Sequence, residues 1–155
     1  MKVRLGALLS AAVTFAVFVV LPLLLPSQLP PELMAAVSQI DFDLSGLLNQ
    51  TATIGVVISI LALVKAFVDK TSFISLALSM VSNVIWLVFS FLILGLGQIG
   101  TFGLTEFSFE IEGARNTMAI DMSLFAYLAL ITVGLNIVHS VLEFQEARST
   151  TKASA

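Results

Sequence analysis

The run from Leu5 to Leu25 contains no charged residue, and neither does the run from Ser72 to Leu96. At 1.5 Å per residue each makes a helix of about 30 Å or more, the thickness of a bilayer's hydrocarbon core. Two further apolar runs, 51–68 and 118–144, are interrupted only by Lys65 and by Asp121, His139 and Glu143. Segments this long must satisfy their backbone polar groups internally if they enter lipid. The runs are continuous and do not alternate every second residue, so they fit helices and not a barrel. Only 11% of the 155 residues are charged, against about 25% in an average soluble domain. A soluble fold cannot cover its surface with so few charges. The expected fold is therefore an all-α integral membrane protein, a four-transmembrane-helix bundle in a single domain over residues 1–155.

Met1-Lys2-Val3-Arg4 looks like the n-region of a signal peptide. The apolar stretch behind it exceeds the usual ~7–15 residues of an h-region, and no small-x-small site follows promptly. The segment is expected to stay as a membrane anchor and true span, kinked or terminated at Pro22. Two outer loops are expected, 26–50 and 98–117. In the first, Pro30-Pro31-Glu32 opens a short interfacial helix, with Leu33, Ala36, Val37 and Ile40 at helical spacing. The tail from Gln145 is polar and expected to fray.

Lysine and arginine set the orientation. Lys2, Arg4, Lys65, Lys70, Arg148 and Lys152 fall on one side of a four-span plan, and Arg115 alone falls on the other. The expectation is a multi-pass protein of the cell membrane with both termini cytoplasmic and two acidic loops outside.

An offset of 67 residues lays Ile40–Gly46 on Phe107–Gly113, Asn49 on Asn116 and Leu61-Ala62-Leu63 on Leu128-Ala129-Leu130. Two readings stay open. The chain is a tandem repeat, 1–67 and 68–134, whose halves are related by an axis along the membrane normal, or a small residue alphabet has produced a coincidence. Ile40, Phe42 and Leu44 alternate with polar residues, as do Phe107, Phe109 and Ile111. That is the strand pattern. Two readings stay open here as well: the two loops contribute one strand each to a small two-stranded extracellular β element, the favoured one, or their apolar residues only dip into the membrane interface.

Small residues form stripes on the second and third spans: Gly55, Ser59, Ala62 and Ala66, and Ser72, Ser75, Ser79 and Ser82. Such stripes let membrane helices approach closely, and a tight hairpin of these two spans is the plainer reading, with a hydrophilic lane the sharper one. Gly6, Ser10 and Thr14 follow the same logic on the first span. Asn83 beside Trp86 is expected to bond another helix. On the fourth span Thr132, Asn136, His139 and Glu143 are spaced four, three, four, with Ser140 beside them. Intramembrane ionisable groups usually face a bundle interior or a partner. His139 and Glu143 could exchange a proton, because imidazole titrates near neutrality; Glu143 could equally pair with Lys65 or Lys70. Asp121 reads as a first-turn acid favoured by the helix dipole, and Asn49-Gln50-Thr51 as a glycosylation sequon too close to the membrane for use.

Cysteine is absent and histidine occurs once. No disulfide, metal cluster, nucleotide loop or nucleophile–base pair is present in the sequence, so neither a cofactor nor an enzyme activity is expected. No basic cluster points to nucleic acid. The plan of four spans with two strand-like outer loops is similar to that of claudin-like and other tetraspan proteins. Their cysteines and signature loop residues are missing here, so the similarity is one of architecture, which does not imply function. Small four-span multidrug transporters carry a glutamate in the first span, and this first span has none. The expected function is that of a non-enzymatic accessory or structural subunit, its partners being the lipid bilayer, other membrane subunits or further copies of itself. The second expectation is a small homo-oligomeric channel or transporter for ions or protons.

Overall fold

The computed structural model describes residues 5–39, 42–69, 72–111 and 114–153. Lys2, Arg4, Ile40, Asp41, Lys70, Glu112 and Gly113, which entered the orientation, repeat and strand expectations, lie outside the described residues.

The first span is one helical rod in three pieces: α1 (Leu5–Phe15), a π-helical turn (Ala16–Val20) and α2 (Leu21–Gln28). Of the two expected effects of Pro22, termination does not occur: the helix continues through it, with a π turn just ahead. A proline lacks the N–H that would bond the carbonyl four residues back, and its ring crowds that carbonyl. The wider π turn ahead of Pro22 takes up the crowding, with the Leu21 N–H bonding five residues back to Ala16 O. The helix runs on through Pro26 to Gln28.

A short helix, α3 (Pro31–Gln39), follows with Glu32 in its first turn. The second span, α4 (Leu44–Phe67), begins earlier than the apolar run suggested. Asp43 caps it, its carboxylate accepting the Gly46 N–H at 2.7 Å, so the polar residues 45–50 are already helical. A short turn leads to α5 (Phe73–Leu94), capped by Ser72, whose Oγ accepts the Ile74 N–H at 3.2 Å. α5 ends in a Schellman arrangement: the Gly97 N–H reaches Leu92 O at 2.8 Å and the Leu96 N–H reaches Ile93 O at 3.2 Å. Leu96 adopts the left-handed φ of 48° normally left to glycine.

The strand expectation is corrected. A 3₁₀ turn (Ile99–Thr101) leads into β1 (Leu104–Ile111), which pairs antiparallel with β2 (Ala114–Asp121). Both strands come from the second loop, and Leu44 is the first residue of α4. Phe42 nonetheless meets the sheet: its ring packs edge-on against Phe107, centroids 5.7 Å apart. Segments aligned by the 67-residue offset thus differ in conformation, 47–54 being helical and 114–121 extended. Gly103, at φ 87°, starts the hairpin. Its carbonyl accepts the Met122 N–H at 2.8 Å, and a Cβ there would lie 2.8 Å from Met122 C.

The last helix, α6 (Ser123–Ala153), starts later and ends later than expected, because 118–121 belong to β2. Asp121 is therefore not in the first turn. It caps the helix from outside, Oδ1 accepting the Ser123 N–H at 2.9 Å. The tail expected to fray is helical to Ala153, since Glu, Gln, Ala and Arg are good helix formers and Arg148 lies over the Phe144 ring at 5.5 Å.

Among the described residues four helices are long and apolar enough to cross a membrane: Leu8–Gln28, Leu44–Phe67, Phe73–Leu94 and Ser123–Ser149. α4 packs on both the first span and α5, and α6 packs chiefly on α5. Phe18 of the π turn reaches past α4 to Trp86 and Phe89 of α5, the three rings meeting edge-on at 5.2–5.5 Å. Nearer the hairpin, Leu92, Ala126, Thr105 and Phe107 are buried. The sheet sits at the bundle end opposite the 68–72 turn.

Candidate functional site: a polar cleft between three helices

Because α6 leans on α5, a cleft remains between α4 and α6 with α5 as its floor. It has two lobes that share Lys65. The lobe nearer the 68–72 turn, about 300 Å³, is lined by Lys65, Ala62 and Ala66 of α4, Ser75 and Ser79 of α5, and Ser140 and Glu143 of α6. The lobe nearer mid-depth, about 540 Å³, is lined by Ser82, Asn83, Trp86 and Ser90 of α5 with Thr132 and Asn136 of α6, again with Lys65.

The polar seam of the fourth span is thus divided. Thr132 and Asn136 serve one lobe, Ser140 and Glu143 the other. His139 lines neither and is exposed on the flank of that face. Glu143 acts coulombically on Lys65, so these opposite charges share one lobe. Among the described residues no group of three His, Cys, Asp or Glu could hold a metal.

The small-residue stripe of α4 is divided as well. Gly55 and Ser59 are buried, and Gly55 lies against the Phe18 backbone of the first span, not against α5. Pro22 denies Phe18 O its usual helical donor, and the absent Cβ of Gly55 leaves room for that carbonyl. Ala62 and Ala66 turn to the cleft, opposite Ser75 and Ser79.

The hydroxyls of the bundle fall into two groups by their bonding. Ser59, Ser90, Thr132 and Ser140 each donate to the carbonyl four residues back at 2.8 Å. That local bond is how a membrane helix silences a hydroxyl. Ser75, Ser79 and Ser82 make no such bond among the described residues, and all three line the cleft. Lys65 at the junction of the lobes and Trp86 in the wall were not marked as site residues by spacing on any single helix. Only the packing of α4 and α6 across α5 brings them in.

Comparison with protein-family models, with curated proteins and with solved structures finds no match to this chain.

Proposed function

We propose that the chain is a non-enzymatic subunit of a membrane complex that seats a partner's transmembrane segment along the polar lip of α6. One observation carries this reading. Asn136 stands 13 residues from each end of the Ser123–Ser149 span, at mid-depth, and it is exposed. His139 and Thr132 are exposed beside it, next to exposed Leu128, Ile131 and Leu135. A polar side chain facing hydrocarbon is costly, and a partner helix that bonds it removes the cost. The excess of basic residues toward the 68–72 turn supports cytoplasmic termini and an external hairpin in the cell membrane.

The test is purification from native membranes in mild detergent. Asn136→Leu, His139→Leu and Ser82→Leu are expected to release the partner while the chain stays folded. A partner retained by all three variants, or a wild-type chain that is folded, active and partnerless, overturns the reading.

A second reading rests on the cleft itself. Its unbonded hydroxyls and its Lys65–Glu143 pair suit a small homo-oligomeric channel or transporter for ions or protons. It requires flux in proteoliposomes that Glu143→Gln alters. No flux above that of empty vesicles removes it.

A further inference from the structure

The hairpin offers a second surface that owes nothing to the cleft. β2 is exposed at every position from Ala114 to Ala119 and again at Asp121, whereas β1 is buried at Thr105 and Phe107. A two-stranded sheet leaves one edge of each strand unpaired, and an unpaired edge is a template for another strand.

The backbone phase of that edge is fixed. The strands pair Leu104 with Asp121 through Ile111 with Ala114. The Met122 N–H bonds Gly103 O at 2.8 Å, one step beyond Leu104–Asp121. In an antiparallel pair, hydrogen-bonded and non-hydrogen-bonded positions alternate. The even residues of β2 therefore point their N–H and C=O groups at β1. Arg115, Thr117, Ala119 and Asp121 point theirs at the open edge, with their side chains together on one face of the sheet.

We propose that this edge pairs antiparallel with β2 of a second copy, in the register that sets Arg115 of each chain opposite Asp121 of the other. Only odd residues present backbone groups at the edge, so an isologous pair must centre on a single residue. Centring on Met118 puts Thr117 opposite Ala119 and joins Arg115 to Asp121 twice, once at each end. Centring on Thr117 puts Arg115 opposite Ala119 and leaves both charges unmatched. Asp121 caps α6 through Oδ1; a carboxylate accepts at both oxygens, so Oδ2 serves the guanidinium. The contact is two-fold and closed, so it stops at a dimer of four strands and does not propagate. Its axis is perpendicular to the sheet. For two chains in one bilayer that axis is the membrane normal, which requires the sheet to lie across the end of the bundle. Burial of Thr105 and Phe107 on one sheet face, with Phe107 against Phe42, fits that requirement.

The chain has no cysteine, so each introduced thiol is unique. The full chain is reconstituted in liposomes as Asn116→Cys, Thr117→Cys, Met118→Cys or Ala119→Cys and oxidised mildly. Residues paired at a non-hydrogen-bonded position lie about 4.5 Å apart in Cα, within disulfide reach, and those two residues off centre do not. Met118→Cys is expected to cross-link well above its neighbours, and adding Arg115→Glu to lower that yield roughly tenfold, with Arg115→Lys retaining it. A maximum at residue 117 or 119, a flat profile, or indifference to Arg115→Glu overturns the proposal. The measurement does not depend on Asn136 or His139, so it fails or succeeds separately from the partner reading.

Discussion

Gly55→Ala adds one methyl group where α4 meets the first span. That methyl would sit 2.8 Å from Phe18 C and 2.9 Å from Phe18 Cβ, and nearer still to the Phe18 carbonyl oxygen. Backbone atoms cannot rotate away, so the helices must separate by about an ångström to restore ordinary contact. Overpacking of this kind costs about 1–3 kcal/mol. Loss of a close Cα–H···O approach adds about 0.5–1 kcal/mol. Better helix propensity of alanine returns about 1 kcal/mol. The net expectation is a loss of roughly 0.5–3 kcal/mol. Gly134 on α6 supplies the internal control, because a Cβ there meets nothing within 4 Å. Reversible unfolding in mixed micelles, followed by the emission of the only tryptophan, is the assay. Gly55→Ala should unfold at lower denaturing detergent than wild type, and Gly134→Ala at equal or higher. If the two variants behave alike, the close approach of Phe18 to α4 does not hold the first span in place.

Three further expectations use the same assay or a simple extension of it. Phe18→Leu removes two edge-on ring contacts, each contributing about 0.5–1.5 kcal/mol; unfolding should come earlier and Trp86 emission should shift. Thr105 is 2% exposed and its hydroxyl has no partner among the described residues; Thr105→Val should be neutral or stabilising by about 1 kcal/mol, and a clear loss would show that the hydroxyl is bonded. The Ser123 hydroxyl and N–H hold the Asp121 carboxyl below the usual carboxylate range. The depressed value means that this cap is intact above the ordinary aspartate value, ~3.9, and is lost as pH falls through the lower folded value. The Ser123 amide resonance should titrate there, and Asp121→Asn should abolish the titration.

The spans were legible because lipid imposes a length and a composition on any helix that crosses it. Their ends were less so. Asp43 and Ser72 are ordinary cap signals that could have moved the start of α4 and confirmed that of α5. The start of α6 was displaced because an apolar strand, 118–121, adjoins it and hydropathy does not distinguish the two. The alternation of residues 107–111 marked a strand correctly, but alternation carries no information on the partner. A two-residue connection to the next strand closes a far smaller loop than one reaching back to residue 42, and the local hairpin forms.

Spacing along α6 gathered Thr132, Asn136, His139, Ser140 and Glu143 into one seam, since helical period alone decides which residues share a face. It could not show that His139 falls on the flank, that Lys65 joins both lobes, or that Gly55 serves the first span and not α5. Those are facts of how α4 and α6 sit across α5. The sequence by itself determined four helices long and apolar enough to cross a bilayer, a basic end and a polar seam, because each follows from local chemistry along one helix. The tertiary structure alone decided that the seam opens on a cleft, that the edge of β2 stays unpaired, and that a proline-displaced carbonyl rests over a glycine. Each of these depends on the distance between segments far apart in the chain, which no local pattern records.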